Sequence, residues 1–163
     1  MLTAIAAVSE NWGIGRDGDL LFNIPEDKKH FRRTTLNHKV IMGRKTLESL
    51  PDGKPFKDRE NIVLSRNRDF SPEGVTVCHS IEDVLKLIKN ADDEEAFIAG
   101  GGEIYNAMLP YCQKAIITKI SGSPEADTFF PNLDESPEWT LVSESDEQEY
   151  QGLTYRFCTY IKK

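Results

Sequence analysis

Short apolar runs recur along the chain, and turn residues or charges interrupt them. "LTAIAAV" from Leu2, "KVIMG" from Lys39, "NIVLS" from Asn61, "VTVCH" from Val75, "EEAFIAG" from Glu94 and "KAIITKISG" from Lys114 are short and mostly apolar, the pattern of buried strands. Between them the apolar spacing lengthens to three or four residues. "IPEDKKHFRRTT", "RKTLESL", "SIEDVLKLIKN" and "GGEIYNAMLPYC" therefore read as helices, the third capped by Ser80 with Asp83 three positions on. "WTLVSESD" and "LTYRFCTYIKK" read as a closing antiparallel pair. "PDGKPFKDRE" is a turn-rich loop, and "SENWGIGRDGDLLFN" is a loop long enough to point to function or mobility. This order predicts an α/β fold in one domain over residues 1–163. Its central twisted sheet is mostly parallel with an antiparallel C-terminal strand, and helices cover both faces.

One residue interrupts the pattern. Pro25 suits a first helical turn, Asn23 stands where a cap would, and Glu26 and Asp27 suit the positive end of the helix. Yet Asp27 shares its stripe with Ile24, Phe31 and Thr34 or Thr35, while Lys28, Lys29, Arg32 and Arg33 cover the other faces. Two readings stand: a solvated acid complementing the helix dipole, or a half-buried carboxylate that binds or protonates a ligand.

Composition narrows the classes. The 163 residues carry a net charge of −7, which argues against a nucleic-acid partner. No apolar run is long enough to span a membrane, and "MLTAIAAVSENW" lacks a basic leader, so it reads as a strand rather than a signal peptide. Cys78, Cys112 and Cys158 form no CxxC pair and read as buried thiols of a reducing cytoplasm. They do not fall at metal-ligand spacing with His30, His38 or His79, so no metal is expected. "DESPEWTLVSESDEQEY", rich in acids and without Lys or Arg, reads as a solvated strand and loop.

In such sheets ligands bind beyond the carboxyl ends of the strands. Three predicted strand ends carry suitable groups. "FIAGGGEIYNAML" runs from a strand through Gly100, Gly101 and Gly102 into a helix, either a phosphate cradle or a tight turn. "VIMGRKTLESL" places Gly43, Arg44, Lys45 and Thr46 after another strand, and "NIVLSRNR" places Ser65 and Arg66 after a third. Each Arg alone is compatible with plain surface charge. Two of them at matching strand ends, with no acid directly following either strand, favour an adenosine 2′-phosphate and hence NADP(H).

Taken together, "IAAVSENWGIG", "FNIPEDKKHFRRTTLNHKVIMGRKTLESL", "RENIVLSRN", "FIAGGGEIY" and "EADTFFP" resemble the bacterial type of dihydrofolate reductase, in that family's order and over essentially the whole chain. The resemblance implies hydride transfer from NADPH to the small-molecule substrate 7,8-dihydrofolate, giving tetrahydrofolate for one-carbon metabolism, by a cytoplasmic monomer. Asp27 would be the ionisable group of the pterin pocket, accepting hydrogen bonds from the pterin and serving protonation of its N5. Thr118 would hydrogen-bond Asp27, and Phe22 would stand beside the proton route. Ile5, Ala6, Lys28, Phe31, Leu50 and Phe56 would line the substrate, and Arg59 would clamp its glutamate carboxylate. Ala7, Ile14, Gly15 and Leu20 would face nicotinamide, the last three from a lid over Ser9 to Asn23 that Asp127 helps hold. Gly43, Arg44, Lys45, Thr46, Ser65, Arg66 and His79 would hold the adenosine and phosphate side. Ala99, Gly100, Gly101, Gly102, Glu103, Ile104 and Tyr105 would hold the pyrophosphate and nicotinamide side, with a non-proline cis peptide between Gly100 and Gly101.

The chain departs from the family's common pattern at four places, one of them the length of the "PDGKPFKDRE" loop. Leu21-Phe22 replaces a frequent Pro-Trp, and Phe22 has no indole N–H to anchor a water near the acid. Lys28 stands where an apolar residue is common, and Glu103 where some relatives carry a cation. Two other readings remain: a different reductase on the same fold, and a nucleotide-binding protein without turnover.

Overall fold

The computed structural model of the chain describes residues 1–89 and 95–163. Its first strand, β1 (Leu2–Val8), enters a hairpin of β2 (Gly13–Arg16) and β3 (Asp19–Leu20). Helix α1 (Pro25–Thr35), β4 (Lys39–Gly43), α2 (Arg44–Ser49), β5 (Glu60–Leu64), β6 (Val75–Cys78) and α3 (Ile81–Lys89) follow. Then come β7 (Ala96–Ile98), α4 (Gly102–Met108), β8 (Lys114–Ile120), β9 (Thr128–Phe129), β10 (Trp139–Glu144), β11 (Gln148–Tyr150) and β12 (Leu153–Lys162). The expected helix and strand ends at residues 90 and 94 lie outside the described residues.

The main sheet has the spatial order β10-β12-β8-β1-β7-β4-β5-β6, with β11 beside β12. From β8 through β6 every pairing is parallel, and β12 joins β8 antiparallel, as the sequence order predicts. Alternation along β4 and β5 divides the core. Ile41 and Ile62 pack in one cluster with α3 and α4 residues Val84, Tyr105 and Met108. Val40, Met42 and Val63 pack in another with Phe31 of α1 and Leu47 of α2. Helices therefore cover both faces of the sheet. Val40, Ile41, Met42, Ile62 and Val63 are fully buried, each stabilising the fold by about 1.5–3 kcal/mol. This places the ends of β1, β4, β5 and β7 on a firm floor.

Four local expectations change. Residues 9–23 are not simply a loop: β2 and β3 turn at Asp17 and Gly18, both at positive φ, and join β9 in a second, three-stranded sheet. Asp-Gly at a two-residue turn is a strong hairpin signal, so this element was legible. Asn23 does not cap α1; Ile24 occupies that position without a side-chain bond, and Pro25 starts the helix. The acidic segment is solvated along β10, but Asp134 takes a 2.5 Å bond from Lys119 and a 2.7 Å bond from the Tyr160 hydroxyl. Residues 109–111, expected to continue α4, form a separate 3₁₀ turn at Pro110. Elsewhere the expected features stand: Asp83 N–H donates to Ser80 Oγ at 3.1 Å, and the three cysteines are buried free thiols. Among the described residues no helix is long and apolar enough to cross a membrane.

Candidate active site

Asp27 lies in the first turn of α1 against the sheet. The parallel register of β1 and β8 sets Ala7 beside Thr118, and the Thr118 hydroxyl donates to Asp27 Oδ1 at 2.6 Å. Burial raises the Asp27 carboxyl above its ordinary pKa, while the Thr118 bond and nearby His30 oppose that rise. A pocket of about 40 Å³ opens here, bounded by Asp27, Ile24, Lys28 and Ala7 and roofed by Ile14, Leu20, Leu21 and Phe22. Asp27 is thus the polar centre of a largely apolar chamber, not a solvated dipole partner. His30 stacks on Phe157 at 4.1 Å, and burial lowers its pKa. Removing the donor should expose the dependence: Thr118→Val is expected to raise the Asp27 pKa further, measured by the pH titration of its carboxyl signal, since the lost bond holds that pKa down.

From Asp27 the α1 face continues to Phe31, whose ring lies 5.1 Å from that of Phe56; Leu50 packs in the same cluster. Arg59 sits over Phe56 at 4.8 Å. Its Nε donates to Lys57 O at 3.0 Å and its Nη1 to Thr35 Oγ1 at 3.3 Å, so the guanidinium is held by its own surroundings. Asn61, which sequence reasoning missed, fixes this loop: its side chain accepts from Phe56 N–H and donates to the carbonyls of Phe56 and Arg59. The available signal was a polar amide leading an apolar strand.

The other strand ends meet alongside. Gly43 N–H donates to Gly100 O at 2.9 Å, and Ala99 N–H to Ile41 O at 2.8 Å. Gly100 has φ of +107° and is joined to Gly101 by a cis peptide. Tyr105, whose phenol burial pushes well above its ordinary pKa, remains a donor and bonds Ile5 O at 2.6 Å. That bond ties the glycine turn to β1, where Ala6 and Ala7 are half-buried. Ile104 closes over Gly43, where a Cβ would approach it to 3.0 Å. Arg44 sits over the Phe70 ring at 4.5 Å and bonds Glu48, Lys45 is exposed, and Thr46 faces Gly101. Ser65 accepts from Asn67 N–H, His79 Nδ1–H donates to Ser65 O at 2.8 Å, and Arg66 is exposed beside them. Neither α2 nor α4 has a side-chain cap, so their first N–H groups add to this cationic, hydroxyl-bearing edge. The donor set fits a dinucleotide with an additional phosphate; exposed Glu103 is its unfavourable charge.

The hairpin above the pocket is held by the segment around β9. Asp17 N–H donates to Asp127 Oδ2 at 2.8 Å, Asp127 N–H donates to Gly15 O at 3.0 Å, and Arg16 pairs with Glu125. Leu20 is 77% exposed at its tip, an apolar side chain in water beside an apolar chamber.

Residues 1–162 match the family model described as dihydrofolate reductase. The chain belongs to the dihydrofolate reductase family. It is 39% identical to the dihydrofolate reductase of Bacillus subtilis (strain 168), over 100% of this chain and 95% of that one. It is 40% identical to the dihydrofolate reductase of Neisseria gonorrhoeae, over 99% and 98%. A solved dihydrofolate reductase from Enterococcus faecalis, complexed with NADP(H) and RAB-propyl, matches with a TM-score of 0.87 and 32% identity, covering 100% of this chain and 96% of that one. Against this dihydrofolate reductase background, Phe22 and Leu21 line the acid's chamber with carbon alone. A second cleft of about 290 Å³, between Ser9, Lys119, Asp134 and Arg156, shares no residue with that chamber. Its Lys119 and Asp134 already pair with each other.

Proposed function

We infer that the chain reduces 7,8-dihydrofolate to 5,6,7,8-tetrahydrofolate with NADPH, and that Asp27 both holds the pterin and manages its protonation. NADPH, when bound, supplies the hydride that adds to pterin C6. The observation that carries the assignment is one half-buried acid, oriented by Thr118 in a chamber that adjoins β1 and the lid hairpin. The Asp27 carboxylate accepts from the pterin 2-amino group and ring nitrogen, which satisfies a group that burial otherwise makes costly. Before the ligand's donors arrive, burial raises its pKa, the direction that suits a group handling a proton. Phe22 offers no N–H, so any water that relays a proton between Asp27 and N5 must be held by other groups. Phe31, Leu50 and Phe56 pack on the benzoyl part, and Arg59 takes the glutamate carboxylate. Arg44, Lys45, Thr46, Ser65 and Arg66 hold the cofactor phosphates, and Gly100 to Tyr105 carry the nicotinamide side. The hairpin from Gly13 to Leu20 excludes water from the pocket. The chain acts as one domain and one monomer in the cytoplasm without a nucleic-acid partner, a reading supported by the net charge of −7 and the three free thiols.

The near-ultraviolet absorbance of NADPH mixed with dihydrofolate tests the function. Steady loss is expected, slower with NADH. Arg44→Ala with Arg66→Ala should narrow that preference by about tenfold, since each phosphate contact is charge-assisted. Tight binding of both ligands without consumption would identify a binding protein instead.

A further inference from the structure

The glycines of the cofactor turn are glycines for different reasons. Gly100 has positive φ. A Cβ on Gly101 would meet Thr46 Oγ1 at 3.5 Å, an ordinary contact. A Cβ on Gly102 would lie 2.6 Å from Thr128 Cγ2, with the next atom, Phe129 O, at 4.0 Å. Gly102 is not in the left-handed region, so its backbone accepts alanine and the obstacle is a single methyl group.

That methyl belongs to a side chain already engaged with the lid. Thr128 in β9 pairs with Gly15 in β2. Its Oγ1 donates to Asp127 Oδ1 at 2.9 Å, and the other oxygen of the same carboxylate receives Asp17 N–H. One branch of Thr128 therefore rests on the cofactor turn while the other steadies the acid that holds the lid hairpin. Threonine cannot rotate its methyl away without withdrawing its hydroxyl from Asp127.

We propose that Thr128 is a positioning residue that seats the lid on the cofactor turn, and that position 102 is glycine to admit its methyl. The proposal rests on reading residues 100–102 as the cofactor turn and residues 9–23 as the lid. It makes the lid's resting place depend on the start of α4 through one side-chain contact. Displacing that contact moves the anchor of Asp17 and Gly15 while the main sheet stays intact.

The test compares wild type, Gly102→Ala and Gly102→Ala with Thr128→Ser. Serine keeps the hydroxyl for Asp127 and drops the obstructing methyl. Amide hydrogen exchange in the ligand-free chain reads the lid directly and does not depend on the substrate. Gly102→Ala should speed exchange over residues 13–20 by about tenfold while β4 amides keep wild-type rates, and the serine partner should restore the lid to within about threefold. In turnover with NADPH and dihydrofolate, Gly102→Ala should lower kcat and the double variant should regain it. A double variant whose lid exchanges no more slowly than Gly102→Ala, or a speed-up spread evenly over the sheet, overturns the proposal. Failure of wild type to consume NADPH would instead count against the reductase reading and leave the exchange comparison to decide this one.

Discussion

Asp27→Asn is expected to lower turnover at neutral pH by about 100-fold or more, the usual scale of a lost general acid, while raising thermal stability. The two effects have one cause. The folded state holds the Asp27 proton more tightly than the unfolded chain does, because burial disfavours the carboxylate. Stability contributed by this group is therefore full below its unfolded pKa and lost as pH rises through the folded pKa. Asparagine has no charge to bury and can still accept the Thr118 hydroxyl, so the gain in Tm should appear at neutral and alkaline pH and vanish in acid. Thermal melts across pH, beside steady-state rates, check both signs. A mutant less stable at neutral pH would mean that the carboxylate is well satisfied by the protein alone, and would remove the reason for a ligand there.

Arg59→Leu is expected to raise KM for dihydrofolate by about 30-fold, close to 2 kcal/mol, with kcat nearly unchanged. The guanidinium is oriented in advance by Lys57 O and Thr35 Oγ1 and sits over the Phe56 ring. Its remaining N–H groups form a planar fork suited to a carboxylate, and less side-chain freedom is lost on binding. Arg59→Lys should recover only part of the loss, because an ammonium cannot pair in two places. A substrate lacking its glutamate should bind wild type and variant alike. An equal penalty on full and truncated substrates would assign Arg59 to the loop rather than to the ligand.

The fold was legible because its strands are short, mostly apolar runs and its helices carry clear stripes. The site was legible unevenly. The Asp27 stripe raised a question that α1 alone could not answer, since the deciding hydroxyl of Thr118 is 91 residues away on β8. Only the family motif connected them ahead of the structure. The lid hairpin was present in Asp17-Gly18, and the length of the loop obscured a turn signal that was sufficient by itself. Asn23 looked like a cap, but the helix starts at Pro25, so Ile24 takes the cap position and Asn23 lies one residue too early. The glycine run announced close approach without saying to what. For Gly102 the neighbour is Thr128, and no local pattern relates the two.

The most direct test of Asp27 as the proton-handling group is the single-turnover rate of NADPH oxidation by dihydrofolate, followed across pH in wild type and Asp27→Asn. The wild-type rate should titrate with one group above the ordinary carboxylate range. The variant should lose that titration, fall far below wild type at neutral pH and recover in acid as the substrate takes its proton from solution. Identical profiles in the two proteins would contradict the account and return Asp27 to the role of a charge at a helix end.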